Sequence, residues 1–218
     1  MFLVDFGVLL AGFLERKRSE DRKAPQKGVY YASDLGAECM RQCFYRYSVD
    51  KPVDPFTLGV FELGSVLHEW FGGVVKEALG EAVELEKEVP PYRNHCFEVH
   101  GRADIVLSGL VVDVKTVSPN AFRHGGLPYA HHVAQVNFYM RQLGVQDAQI
   151  VYLDKYALRV ESYALKFDPR LFRESMNQVR RLNSHLKDKT APPRCAAYPS
   201  RFPCTYCQYR NECGEAEE

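Results

Sequence analysis

The chain has no excess of charge of either sign: 28 Lys and Arg balance 28 Asp and Glu. That balance excludes a protein that grips a polyanion through its overall field, so any nucleic-acid partner must be held by a local groove. Long apolar runs are missing as well. The most apolar stretch, residues 1–14 (MFLVDFGVLLAGFL), is interrupted by Asp5, has no basic residue ahead of it, and falls short of the ~20 residues a membrane span needs. It reads as an amphipathic helix docked on a soluble, cytoplasmic protein with no membrane partner. No internal repeat, low-complexity tract or Walker A sequence occurs, which excludes a nucleotide-driven motor. No secretory leader accompanies the seven cysteines, and seven is an odd number. A disulfide framework is therefore the poorer expectation, and metal or cluster ligation the better one.

What is present begins with a core. At 218 residues and 46% hydrophobic content the chain is one domain, or one domain with a small appendage. Its organising stretch is His100–Thr116 (HGRADIVLSGLVVDVKT), two apolar β-branched strands with period-2 alternation joined by a turn at Ser108-Gly109. In the second strand Asp113 and Lys115 leave one face while Val112 and Val114 leave the other. The hairpin brings Asp104 to the same end of the sheet as Asp113. Two carboxylates and a lysine then converge, an arrangement suited to holding a divalent cation and activating water against a phosphodiester. The plainer alternative is a cross-strand ion pair at a solvated edge.

Around the hairpin the pattern alternates between periods. The charged run ERKRSEDRKAPQKG (15–28) reads as a linker. A helix N-capped by Ser33 carries Cys39 and Cys43 four residues apart. Leu63, Leu67, Trp70, Phe71, Val74 and Ala78 mark the core face of a helix over 62–79, with His68 beside it. A strand over 83–89 precedes the hairpin. A helix over 128–143 puts Gln135 and Tyr139 on one face. A second hairpin spans 149–154 and 159–167, and Asp168-Pro169 opens an amphipathic helix. That helix carries Arg170, Arg173, Asn177, Arg180, Ser184 and Lys187 as a polar stripe, which suits either a phosphate backbone or plain solvent. The tail from Lys189 is rich in Pro, Cys and aromatics, has little periodicity, and needs a staple. Cys204, Cys207 and Cys213 form a C-x2-C-x5-C run that supplies three ligands. Cys39, Cys43 or Cys195 can supply the fourth, and spacing alone leaves zinc and iron–sulfur both open.

In order along the chain, Ser33-Asp34-Leu35 with Cys39-x-Arg41, Gly64-x-x-x-His68, Gly101-x-x-Asp104, Asp113-Val114-Lys115, Gln135-x-x-x-Tyr139 and the three terminal cysteines resemble the RecB-like branch of the PD-(D/E)xK nucleases. More narrowly they resemble the CRISPR-associated exonucleases of the Cas-four family. In that family a proline usually follows the upstream cysteine; here Met40 does, which keeps Cys43 as the alternative to Cys39. The resemblance implies a mixed α/β, restriction-endonuclease-like core sheet flanked by helices. It divides the chain into an N-terminal helical region (1–60), a nuclease core (61–189) and a C-terminal cluster-binding segment (190–218). It implies Mn²⁺ or Mg²⁺ held by His68, Asp104, Asp113 and the Val114 carbonyl, with Lys115 acting on water and phosphate. Gln135 would position Lys115 or that water, and Tyr139 would contact the DNA. An iron–sulfur cluster ([4Fe–4S] or [2Fe–2S]) on Cys39, Cys204, Cys207 and Cys213 would tie the two ends of the chain together. The implied activity is hydrolysis of single-stranded DNA ends during CRISPR adaptation, beside the CRISPR integrase complex. The alternatives are a related nuclease of recombination or repair and a non-catalytic DNA-binding adaptor.

Overall fold

The computed structural model describes residues 5–21 and 26–215. Helix α1 (Phe6–Asp21) is followed by the short strand β1 (Val29–Tyr31), helices α2 (Met40–Ser48) and α3 (Pro55–Leu79), and strands β2 (Val83–Arg93), β3 (Glu98–Leu107) and β4 (Leu110–Val117). A short α4 (Pro119–His124) and α5 (Ala130–Leu143) lead to β5 (Asp147–Asp154), β6 (Val160–Lys166) and α6 (Pro169–Asp188). An irregular stretch then ends in α7 (Arg210–Glu215). The strands make one six-stranded mixed sheet in the order β1-β3-β4-β5-β6, with β2 on the opposite edge of β3. The architecture is the mixed α/β sheet flanked by helices that the family resemblance implies. Among the described residues no helix is long and apolar enough to cross a membrane.

The central hairpin forms as expected. Ser108 (φ 44°) and Gly109 (φ 87°) both adopt positive φ, the two-residue turn whose twist matches that of the flanking strands. β2 runs on through Pro90-Pro91 because it is an edge strand, and its register against β3 breaks between Val89 and Tyr92, where a missing N–H costs no ladder bond. β4 and β5 are parallel, and α5 makes the crossover between them. Ala134, Val136, Phe138, Tyr139 and Met140 of α5 bury themselves with Val99, Ala103, Val111 and Ile150 in the main core. On the other face, Phe71 and Val75 of α3 cover Val83, Ile105 and Val114.

Three local expectations differ from the structure. The run from Glu15 is not a linker as far as Asp21: α1 continues through it, docked by buried Leu14 and by the Lys17 ammonium, 2.6 Å from the Glu62 carboxylate. No helix starts at Ser33. A single 3-10 turn (Ala32–Asp34) ends before Gly36, whose left-handed φ of 67° turns the chain towards α5, and α2 begins only after Cys39. A Cβ on Gly36 would lie 2.8 Å from Ala134 Cβ, so glycine is what permits this close approach. The inward face of α3 is also rotated from the one its large residues suggest. Leu63, Trp70 and Val74 are more than two-fifths exposed, whereas Gly64, His68, Gly72 and Val75 turn to the sheet. Gly64 faces Thr116 and Gly72 faces Leu85.

Candidate active site and thiol centre

Strand β3 is too long for its neighbours on one edge. Glu98–His100 pair with β1 and Ile105–Leu107 pair with β4, so Gly101–Asp104 are left unpaired between them. β4, meanwhile, stays paired with β5 over its full length. The result is a notch in the sheet. Into it project Asp104 from β3 and Asp113 from β4, whose register in the hairpin would make them direct partners had the ladder continued.

Asp104 bridges the notch by accepting a hydrogen bond from the Val114 backbone N–H at 2.7 Å. In a strand the N–H and C=O of one residue point the same way, so the Val114 carbonyl also opens towards the notch. His68, brought in by α3, places Nδ1 3.7 Å from Asp104 Oδ2. Burial holds its imidazole below the usual range, opposed by Asp104 and assisted by Lys115. Asp113 is fully buried, and Lys115 Nζ lies 3.0 Å from its Oδ2. Neither Asp113 oxygen has a well-directed hydrogen bond among the described residues. Burial pushes the Asp113 carboxyl up to about 7, with Lys115 lowering it and Asp104 raising it further. An unsatisfied buried carboxylate facing a second carboxylate is costly unless a cation joins them.

Helix α5 closes the site from the core side. Gln135 Nε2 donates to Tyr139 Oη at 2.8 Å, and the Tyr139 ring crosses β3 at Gly101, where a Cβ would come within 2.6 Å of the ring. Burial raises the Tyr139 phenol, and Asp113 and Asp104 add to the effect, so it stays protonated. Sequence reading missed three neighbours. His131 lies one turn before Gln135 on the stripe that ends at Tyr139, and His132 accompanies it. Burial keeps both imidazoles below their usual range, with Lys115 acting in the same direction. His132 Nδ1 is 2.8 Å from Tyr152 Oη. Glu86 on β2 pairs with Arg102 at 2.6 Å; burial raises its carboxyl, with Asp104 and Glu69 adding to the shift. The 131/135/139 spacing was the available signal for His131. Nothing in the sequence marks Glu86.

The thiols gather at a second place. Cys39 stands at the N-terminus of α2, and Cys39, Cys195, Cys204, Cys207 and Cys213 line one small cavity of ≈ 20 Å³. Cys195 Sγ and Cys204 Sγ are 3.6 Å apart. Cys43, one turn into α2, does not line the cavity; it is buried near Asp34 and Arg46. Polar links join the same segments: Lys51 Nζ reaches a Glu212 carboxylate oxygen and the Gln208 carbonyl, each at 2.6 Å, and Tyr45 Oη donates to the Glu212 carbonyl. Among the described residues, no three His, Cys, Asp or Glu side chains already stand in a geometry that encloses a metal ion. At the notch, the cation beside Asp113 is the Lys115 ammonium. The polar stripe on α6 is solvent-exposed along its length.

Comparison with known proteins gives the chain a family. No curated protein sequence matches it. Among solved structures, SSO0001 is 19% identical over 99% of this chain and 98% of its own length, with a TM-score of 0.67. The alkaline exonuclease LHK-Exo from Laribacter hongkongensis is 13% identical, covers 82% of this chain and 93% of its own, and has a TM-score of 0.56; its complex with dAMP gives 0.55 at 17% identity, over 78% and 93%. These likenesses concern the fold. The family profile described as the PD-(D/E)XK nuclease superfamily matches residues 73–214, well over half the chain and spanning the notch on both strands, and the chain belongs to that superfamily.

Proposed function

We propose that this nuclease is a metal-dependent deoxyribonuclease that degrades single-stranded DNA ends. The observation that carries the reading is the notch: two carboxylates, one fully buried with only the Lys115 ammonium beside it, face each other next to a strand carbonyl. That donor set is all oxygen apart from one imidazole and fits Mg²⁺ or, with His68, Mn²⁺. His68, Asp104, Asp113 and the Val114 carbonyl would hold the ion, which when bound supplies Lewis acidity and a more acidic water. Lys115, which pairs with Asp113 here, would hold the attacking water and balance charge on the phosphate. Tyr139, protonated and buried behind the notch, accepts from Gln135 and so holds the residue that would position Lys115 or the water. The cysteine cavity supports an iron–sulfur centre on Cys39, Cys204, Cys207 and Cys213, since thiolates from both ends of the chain converge there and Cys43 stands apart. The order of motifs supports a role in CRISPR adaptation, trimming ends for the CRISPR integrase complex. The test is cleavage of end-labelled single strands with added Mn²⁺. Progressive shortening by the parent and none by Asp113→Ala supports the proposal; equal activity in both refutes it.

A further inference from the structure

Four thiolates complete an iron–sulfur site, yet five thiols line this cavity. The surplus one is Cys195, and its Sγ stands 3.6 Å from Cys204 Sγ. We propose that Cys195 and Cys204 form a reversible disulfide when the centre is empty, so that loading of the centre is gated by oxidation. The gating rests on the proposed thiolate centre; the disulfide itself rests on the two thiols alone.

Geometry favours this pair over the neighbouring Cys204/Cys207 pair of the terminal motif. The loop between Cys195 and Cys204 is closed by short turns, Tyr198 N–H to the Cys195 carbonyl, Arg201 N–H to Ala197 and Cys204 N–H to Arg201, all at 3.0 Å or less. From 3.6 Å the two sulfurs need to approach by about 1.5 Å to reach bonding distance. Arg194, adjacent to Cys195, donates to the Cys213 carbonyl at 2.8 Å, which anchors the loop to the last helix. Exposure divides the roles: Cys195 is partly open to solvent, while Cys204 is 7% exposed.

The oxidant is a peroxide. Cys195 gives up an electron pair to peroxide and becomes a sulfenic acid, releasing one water; the Cys204 sulfur then attacks it, forming the S–S bond and releasing the second water. Two thiols lose two protons and two electrons, which the peroxide takes up. The cavity is left with Cys39, Cys207 and Cys213, one thiolate short of four. Reduction by a dithiol restores the site.

The experiment uses the full chain, stripped of metal and held without oxygen, then exposed to hydrogen peroxide. Non-reducing peptide mapping is expected to show Cys195 joined to Cys204, reversed by dithiothreitol. Iron and sulfide are then offered. Oxidised parent should load less than a tenth of the iron that reduced parent loads, while Cys195→Ser should load equally before and after peroxide and Cys96→Ser should behave as the parent. A map that joins Cys204 to Cys207, or shows no bond, overturns the switch even should Cys195→Ser fold poorly. Reduced parent that never loads iron overturns the centre and the gating together, whatever the map shows. Reduced parent that loads iron while the map lacks the Cys195 bond overturns the switch alone.

Discussion

Asp113→Asn should make the metal-free protein more stable while removing its activity. The Asp113 carboxyl is fully buried and has its pKa raised from 3.8 to about 7. A carboxyl raised on folding contributes stability that is complete below its unfolded value near 3.8 and is lost as the pH climbs through 7. Above that point the folded chain holds a charge it would rather not hold. A rise of that size corresponds to about 4 kcal/mol. Asparagine removes the charge but leaves a buried amide with poor partners and strands Lys115, costs of about 1–3 kcal/mol. The net gain above neutrality is on the order of 1–3 kcal/mol, or several degrees in a domain this size. Thermal unfolding in chelator at about pH 8 and about pH 5 reads the effect: the variant should melt higher at the first and no higher at the second. Mn²⁺ should then raise the melting point of the parent and not of the variant, because binding to the native state alone adds stability. A variant that melts below the parent at both pH values would refute the reasoning, since it would mean that the Asp113–Lys115 pair stabilises the empty site.

Lys115→Ala should lose cleavage by roughly 10²–10³-fold while keeping the Mn²⁺-induced rise in melting temperature, which separates it from Asp113→Asn. Gly101→Ala drives a Cβ to 2.6 Å from the Tyr139 ring and 3.1 Å from Ala32 Cβ, and should cost about 1–3 kcal/mol by overpacking; adding Tyr139→Ala should recover part of that loss in a double-mutant cycle of unfolding free energies. Cys39→Ala should strip iron from the purified protein and Cys43→Ala should not, measured by metal analysis, because only Cys39 lines the cavity.

The parts of the fold that were legible from sequence share one trait: their pattern repeats over several residues. The hairpin, the helix of Gln135 and Tyr139, and the final amphipathic helix all announce their period and their turns. The inward face of α3 was hidden because burial there is achieved by absence. Gly64 and Gly72, which carry no apolar side chain to mark the face, are the residues turned to the sheet, and the large residues nearby face outward. The break at Gly36 was hidden for a related reason, since a glycine inside an otherwise helical pattern does not declare whether it is tolerated or is turning the chain. At the candidate site, Asp104, Asp113 and Lys115 could be grouped in advance because a hairpin register is countable. Glu86 could not, because its place beside Asp104 depends on how β2 pairs across β3.

The notch also explains why a buried pair as unfavourable as Asp104 and Asp113 is compatible with a stable sheet. A continuous β3–β4 ladder would bury both carboxylates as direct partners with no donor between them. By ending the ladder at Ile105 and Val112, the sheet gives up its backbone bonds at that point and gains a side-chain acceptor for the freed Val114 N–H. The unpaired stretch of β3 is where Tyr139 crosses, and only glycine at 101 lets it do so. Loss of ladder, exposure of a carbonyl and room for a phenol are thus one structural event. Its cost is limited because β2 holds β3 from the other edge on both sides of Asp104, through Gly101–Ala103 and Ile105–Leu107. A site built this way is positioned by paired strands on either side of the gap rather than by a mobile loop, which is what a reaction that depends on fixed distances between carboxylates, water and phosphate requires.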